Sequence, residues 1–269
     1  MTFSKSLNEL LAIAKLDSVA LEKLIRIAIA EDLAGATDVT SVATIPENQR
    51  AVAEFRSRKS GVIAGIPVVC AVLEICGITE YEIKKSDGEV ASENSLLLTA
   101  KGETRALLLA ERSALNFIGR LSGIATLTKS WVDEVADTKT EIRDTRKTTP
   151  GFRAPEKWAV KIGGGKNHRF ALYDMIMLKD NHIDFAGGIT LAIAKTKAFL
   201  KENNLDLKII VEARDLEEIK EILQSEGVHR ILIDNFNYED TRKAVALIGN
   251  QCQTESSGNI NETTIRQYA

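Results

Sequence analysis

The residues with the clearest chemical potential lie between Asp144 and His182. Asp144, Thr145, Arg146, Lys147, Thr148, Thr149, Pro150 and Gly151 set two adjacent cations just after a predicted strand, with a Pro-Gly turn beyond them. The planar fork of Arg suits bidentate binding of carboxylate or phosphate, and Lys supplies a compact charge. Gly163, Gly164 and Gly165 then lead into Lys166, Asn167, His168 and Arg169, coupling a flexible glycine run to an imidazole and a guanidinium. No Gly-Lys-Ser/Thr follows, so this is not a Walker loop, and the G-x-G-x-x-G spacing of a dinucleotide fold is absent. From Arg143 to His182 there are nine Lys/Arg against four acids, a local sum of +5 in a chain of net charge -3, so the remainder carries -8. A concentrated basic segment in an acidic chain points to an anionic partner held at one place. Nucleic acid is disfavoured, because aromatics make up only 5% of the chain and no recognition motif accompanies the cations.

Alternating elements must position these residues. Strand patterns at 141–144, 175–179, 207–212, 230–234 and 252–255 alternate with helical stretches at 189–202, 216–224 and 238–248, which predicts a parallel sheet, open or closed into a barrel. Each of these runs ends on a charged residue: Asp144, Lys179, Glu212, Asp234 and Glu255. Ligands of parallel βα folds bind at the carboxyl ends of strands, so five such endings in succession favour a site over solvated loops. Upstream, apolar spacing predicts two helices within 6–33, and short strands at 51–55, 61–64, 81–83 and 95–98 with a helix over 67–76 describe a small α+β domain. A long helix from 103 to about 122 leads into the second half.

Composition excludes other classes. With 44% hydrophobic and 27% charged residues over 269 positions the chain is globular and large enough for one or two cores. The longest uncharged stretch, 60–73, is too short to cross a bilayer, and the first 15 residues lack a secretory pattern, so a cytoplasmic location without membrane partners is expected. Cys70, Cys76 and Cys252 form no C-x-x-C pair and are odd in number, which disfavours disulfides and zinc and predicts buried thiols.

The strings 144–151, 163–169 and 178–183 together resemble the signature of the quinolinate phosphoribosyltransferases, the carboxylating nicotinate-nucleotide pyrophosphorylases. The same pattern is matched by Glu31-Asp32 with Asp38–Ser41, by Glu111–Phe117 running into Leu121–Ala125, by Ile233-Asp234-Asn235 and by Glu255–Gly258. The resemblance implies an α/β fold made of an amino-terminal α/β sandwich, placed at 1–115, and an incomplete parallel α/β barrel, placed at 116–269, that carries the site. It also implies a homodimer or higher oligomer in which Arg112 reaches the neighbouring subunit's site. By resemblance Arg146, His168 and Arg169 line the pocket for the pyridine dicarboxylate, with Lys147 close by. Lys179, Glu212 and Asp234 serve phosphoribosyl pyrophosphate, the two acids through ribose hydroxyls and Mg²⁺, and Ser257 and Gly258 hold the 5′-phosphate. The implied reaction joins quinolinate to that sugar with loss of CO₂, giving nicotinate mononucleotide and pyrophosphate in NAD biosynthesis. Lys147, Lys179, Glu212 and Asp234 are the expected catalytic groups.

Two departures accompany the match: Gly119 stands where family members usually carry glutamine, and the pattern continues past Ala269 with a further strand and a glycine loop. A related phosphoribosyltransferase acting on another acid, or a non-catalytic anion or nucleotide-binding protein, stays open as an alternative. So do plainer roles: Arg112 as an i,i+4 ion-pair partner, Glu212 and Asp234 as helix caps, and His182 as a satisfied polar residue near the Asp180-Asn181 turn. His229 has no supporting context and is read as structural.

Overall fold

Helical leucine spacing near the amino terminus yields two capped helices in the computed structural model, which describes residues 3–269. Ser4 accepts from Leu7 N at the start of α1 (Lys5–Ala14), and Asp17 accepts from Ala20 N at the start of α2 (Ser18–Leu33), satisfying amides that a helix start leaves open. These helices belong to the first of two compact units, which takes the residues up to Asp133 together with Glu141–His168; the second takes Glu134–Thr140 and Arg169–Ala269.

The first unit continues with α3 (Val39–Thr44), β1 (Arg50–Arg56), β2 (Gly61–Val62), α4 (Ile66–Ile75), β3 (Glu80–Ile83), β4 (Val90–Ala91), β5 (Leu96–Glu103), α5 (Thr104–Glu134) and α6 (Arg153–Ile162). Strands β1, β5 and β3 form an antiparallel sheet with β5 in the middle, and β2 pairs with β4. Helix α5 buries Leu107, Ala110, Ala114, Phe117, Ile118, Leu121 and Ala125, a stripe at spacings of three and four, and α4 is buried along almost its whole length. Gly65 opens α4 at φ +109 with Leu121 Cδ1 3.0 Å from where a Cβ would stand, and its amide and that of Ile66 bond to the Asp87 carboxylate. The expected domain division between residues 115 and 116 falls inside α5.

The second unit holds β6 (Ile176–Leu178), α7 (Asp180–Ala186), α8 (Ile189–Glu202), β7 (Ile209–Ala213), α9 (Leu216–Leu223), β8 (Arg230–Asp234), α10 (Tyr238–Ile248), β9 (Gln253–Ser257) and α11 (Ile265–Tyr268). Its four strands run parallel in the order β6-β7-β8-β9. One face of this sheet, with Leu178, Ile209, Val211, Ala213, Ile231 and Ile233, packs into an apolar core with side chains of α7 to α10. Register places the alternate residues on the opposite face: Met177; Ile210 and Glu212; Arg230, Leu232 and Asp234; Gln253, Glu255 and Ser257. That second face is mostly polar, and in an α/β barrel it is the inward one.

Two expectations need correction. The run 141–144 is not a strand: Arg143 and Lys166 make an isolated parallel bridge, because only Ile142 in that run is apolar and the segment opposite is bounded by three glycines. Glu255 does not end its strand, which extends to Ser257; its carboxylate instead meets the buried Arg230 guanidinium at 2.7 Å. Helices α3, α6, α7 and α11 lie outside the elements expected from periodicity. Among the described residues no helix is long and apolar enough to cross a membrane, and Cys70, Cys76 and Cys252 are free thiols, the first buried and the other two half-buried.

Candidate active site

The basic segment sorts its cations into two groups once side-chain partners are visible. Arg143 and Lys166 both pair with Glu141, and Lys161 lies over the Trp158 ring. Lys157, counted above among nine available cations, is fully buried and pairs with Asp144 at 2.5 Å. Arg146 and Lys147 differ: neither makes an ion pair among the described residues, and the Nε of Arg146 is buried without a hydrogen-bond partner there. A buried guanidinium N–H left open is costly unless a ligand supplies the acceptor. Arg112 stands exposed on α5, also without an ion pair among the described residues, so the i,i+4 alternative for it falls away.

Local geometry holds this segment. Asp144 accepts from His168 N at 2.8 Å as well as from Lys157, and burial pushes its carboxyl above the usual range while those two partners oppose the shift. Thr149 N donates to Glu156 Oε2 at 3.0 Å, and Thr149 Oγ1 to Glu156 Oε1 at 2.8 Å. Burial works to raise the Glu156 carboxyl, yet the hydrogen bonds from Arg120 and Thr149 outweigh it and leave the group below its ordinary value. The glycine run is not a flexible linker, as expected above, but a packing requirement. A Cβ on Gly163 would stand 2.4 Å from Ala125 O, one on Gly165 would stand 2.8 Å from Thr128 Cγ2, and Gly164 has φ +90. These close approaches fix the chain entering His168.

The second unit gathers the other predicted residues on the polar face of its sheet. Lys179, the residue after β6, brings Nζ to 3.6 Å from Glu212 Oε2. Glu212 is buried on β7; burial raises its carboxyl above the ordinary range, Lys179 opposes, and the charges of Asp234 and Asp180 add to the rise. Asp234 ends β8 directly opposite Ser257, and its Oδ2 accepts from the Asn235 side chain at 2.6 Å. Gly258, at φ +90, lies so close to Asn235 that a Cβ there would overlap Asn235 Oδ1 at 2.1 Å. Arg169 is buried, with Nη1 3.5 Å from Met175 O. His182 Nδ1 accepts from Lys179 N at 3.1 Å, which makes it a helix cap for α7 and fits the plainer reading of it. Neither Glu212 nor Asp234 caps a helix: Asp215 and Asn237 do so for α9 and α10.

Glu156, Lys157, Arg120 and Asn235 were given no individual role by the sequence reading. A signal for the first two existed, since Arg153-Ala154-Pro155-Glu156 places proline in what reads as a first helical turn. No group of three or more His, Cys, Asp or Glu able to hold a metal occurs among the described residues. The paired acids Glu212 and Asp234, hard oxygen donors on adjacent strands, suit an ion such as Mg²⁺ that takes one or two protein carboxylates and completes its shell from phosphate oxygens and water.

Comparison with known proteins agrees with this layout. The family model described as quinolinate phosphoribosyl transferase, N-terminal domain, matches residues 38–122, and the corresponding C-terminal domain matches residues 124–269. The carboxylating nicotinate-nucleotide pyrophosphorylase of Mycobacterium leprae is 40% identical over 251 residues, covering 91% of this chain and 87% of that protein. The chloroplastic protein of the same name from Arabidopsis thaliana is 38% identical over 262 residues, covering 92% of this chain and 75% of that one. A solved nicotinate-nucleotide pyrophosphorylase from Francisella tularensis superposes with a TM-score of 0.88 at 33% identity, covering 95% of this chain and 89% of the other. With both halves of the chain matched in order and the fold shared, the protein belongs to the quinolinate phosphoribosyltransferase family.

Proposed function

We propose that this chain transfers the phosphoribosyl group of phosphoribosyl pyrophosphate to quinolinate with loss of CO₂, giving nicotinate mononucleotide and pyrophosphate, a step of NAD biosynthesis. The observation that carries the reading is the pair Arg146 and Lys147, two cations without acidic partners among the described residues, one with a buried and unbonded Nε. A dicarboxylate supplies the acceptors they lack. In this reading Arg146, Lys147 and His168 bind the acid, Arg169 adds a guanidinium as the next residue in the chain, and Arg112 serves a second copy of a homodimer. Lys179 neutralises phosphate charge. Glu212 and Asp234 bind the ribose hydroxyls, and Ser257 and Gly258 offer backbone N–H groups to the 5′-phosphate.

The pyridine nitrogen attacks the anomeric carbon as its bond to pyrophosphate breaks, and the oxocarbenium-like charge that develops is stabilised by Glu212 and Asp234. The pyridinium so formed takes up the electron pair of the bond to the 2-carboxylate as CO₂ leaves, and a proton then fills that ring position. Glu212 and Asp234 would hold Mg²⁺, which when bound would neutralise charge on the leaving pyrophosphate. No covalent nucleophile is required. A cytoplasmic setting fits these soluble substrates.

The test is incubation with quinolinate, phosphoribosyl pyrophosphate and Mg²⁺ while CO₂ and nicotinate mononucleotide are followed, with nicotinate as the control acid. Quinolinate-dependent release of CO₂ with product is expected. Turnover of nicotinate without CO₂ would replace this assignment with a related phosphoribosyltransferase, and quinolinate binding without turnover would leave an anion-binding protein.

A further inference from the structure

Helix α6 carries two adjacent charged side chains, Glu156 and Lys157, that are both buried and have no part in the mechanism above. Consecutive helical residues point in different directions, so one helix can grip two separate segments. Lys157 Nζ bonds to Asp144 Oδ1 at 2.5 Å and lies 3.3 Å from His168 O, while His168 N donates to the same Asp144 oxygen at 2.8 Å. Both main-chain groups of His168 are therefore tied to one buried ion pair. The Asn167 amide, oriented by its surroundings, donates to Asp144 Oδ2 at 2.9 Å and to Lys157 O at 3.0 Å. On its other side Glu156 accepts from both the amide and the hydroxyl of Thr149, and Arg120 completes the carboxylate with Nε at 3.1 Å and Nη2 at 2.8 Å.

Asp144 and Thr149 flank the four residues that carry Arg146 and Lys147, so α6 fixes both ends of that loop and the backbone of His168 as well. Burying such charges is a poor route to stability, since each must be stripped of water and well-packed apolar residues would serve the fold as well. What the charges provide is directional anchoring. We propose that Glu156 and Lys157 are positioning residues that hold Arg146, Lys147 and His168 in their acid-binding arrangement before the acid arrives; the inference rests on the functional reading above.

The experiment measures KM and kcat separately for quinolinate and for phosphoribosyl pyrophosphate in the full chain, with urea melting alongside, for Lys157→Met, Glu156→Gln and Thr149→Val. Gln at 156 turns an NH₂ toward the Thr149 amide, whereas Val at 149 removes only the hydroxyl and spares the fold if the first two variants fail to accumulate. The KM for quinolinate should rise about tenfold to a hundredfold in Lys157→Met and Glu156→Gln, and a few-fold in Thr149→Val. The KM for phosphoribosyl pyrophosphate should stay within about twofold, which a merely structural role would not single out. Lower melting midpoints with both KM values unchanged, or a folded Thr149→Val of unaltered quinolinate KM, would overturn the proposal. Calorimetric titration of the unaltered protein with quinolinate separates the two levels. No binding there removes the functional reading and this inference with it, and binding that the variants leave intact removes the inference alone.

Discussion

Two glycines of the first unit should respond to the same substitution with opposite signs. At Gly163 the backbone is ordinary for any residue, with φ -71, so Ala would meet no conformational objection. The obstacle is space: its Cβ would stand 2.4 Å from Ala125 O and 2.7 Å from Thr128 Cβ, and the first of these is backbone of the long helix α5. Overpacking of this kind costs about 1–3 kcal/mol, and a main-chain obstacle puts it at the upper end. Losing glycine's freedom in the unfolded chain returns roughly 0.5–1 kcal/mol, leaving a net loss of about 2 kcal/mol. At Gly119, exposed in the middle of α5, nothing lies within 4 Å of the new atom, and Ala gains about 1 kcal/mol from helix propensity alone. For a chain of this size each kcal/mol moves the melting midpoint by roughly 2–4 °C, so Gly163→Ala should melt about 4–8 °C lower and Gly119→Ala about 2–4 °C higher. Because both sites lie in one unit, urea or thermal unfolding followed by circular dichroism reads them on the same transition. A Gly163→Ala protein as stable as the parent would refute the packing argument, and equal signs for the pair would refute the comparison.

The acid limb of kcat/KM for phosphoribosyl pyrophosphate should lie above the ordinary Glu range near about 4.3, because burial raises the Glu212 carboxyl and the proposed mechanism uses its carboxylate form. Removing the neighbouring charge in Asp234→Asn should lower the Glu212 titration followed by carboxyl NMR; an upward move would contradict the stated causes. The linked stability has the opposite sense: with its folded pKa raised, Glu212 contributes stability that is full below its unfolded pKa and is lost as pH rises through the folded one. Arg230→Met should cost about 3–5 kcal/mol in urea unfolding by breaking the buried pair with Glu255, and the double change with Glu255→Gln should recover much of that loss; a single variant within about 0.5 kcal/mol of the parent would exclude the pair's importance. Gly258→Ala should raise the KM for phosphoribosyl pyrophosphate about tenfold or more while leaving quinolinate binding alone, since its Cβ would overlap Asn235 at a φ of +90. Equal loss of both ligands would remove Gly258 from the phosphate role.

What the sequence disclosed and what it hid follow from how local each signal is. Strand β8 and helices α8 and α10 match their expected bounds because β-branched runs and amphipathic spacing are properties of one segment. Parallel order followed from the alternation of elements, and the polar strand ends at Lys179, Glu212 and Asp234 do share one face. Glu255 shows the limit: a charged residue near the end of a strand reads the same whether it faces a ligand or an internal Arg230, and only the partner strand decides. Lys157 shows it again, because a lysine in a basic segment looks available until Asp144, thirteen residues earlier, is seen against it. Helix α6 carried a local signal, and only the role of its charges was hidden. Ala154, Trp158 and Ile162 recur at helical spacing and pack on the core, but Glu156 and Lys157 beside them are buried too, by partners that lie elsewhere in the sequence.

The polar face of the parallel sheet acquires its chemical direction from this same division between paired and unpaired charge. Arg230 sits at the start of β8, where Gln253 Oε1 at 2.7 Å and Glu255 Oε2 at 2.7 Å enclose its guanidinium, so the charges deep in that face compensate one another. Farther along the strands, Glu212 and Asp234 bring two carboxylates toward the carboxyl edge against the single cation Lys179, 3.6 Å from the first of them. The excess is negative there, which repels a bare polyphosphate but favours ribose hydroxyls, a divalent ion and the positive charge of an oxocarbenium-like state. In the proposed function phosphate falls to Lys179 and to the Ser257-Gly258 turn, where Gly258 at φ +90 packs directly against Asn235. On the proposed function one sheet face separates binding of the sugar from binding of its phosphates by strand position, and an exchange of charge between Glu212 and Lys179 should abolish that division even with the fold intact.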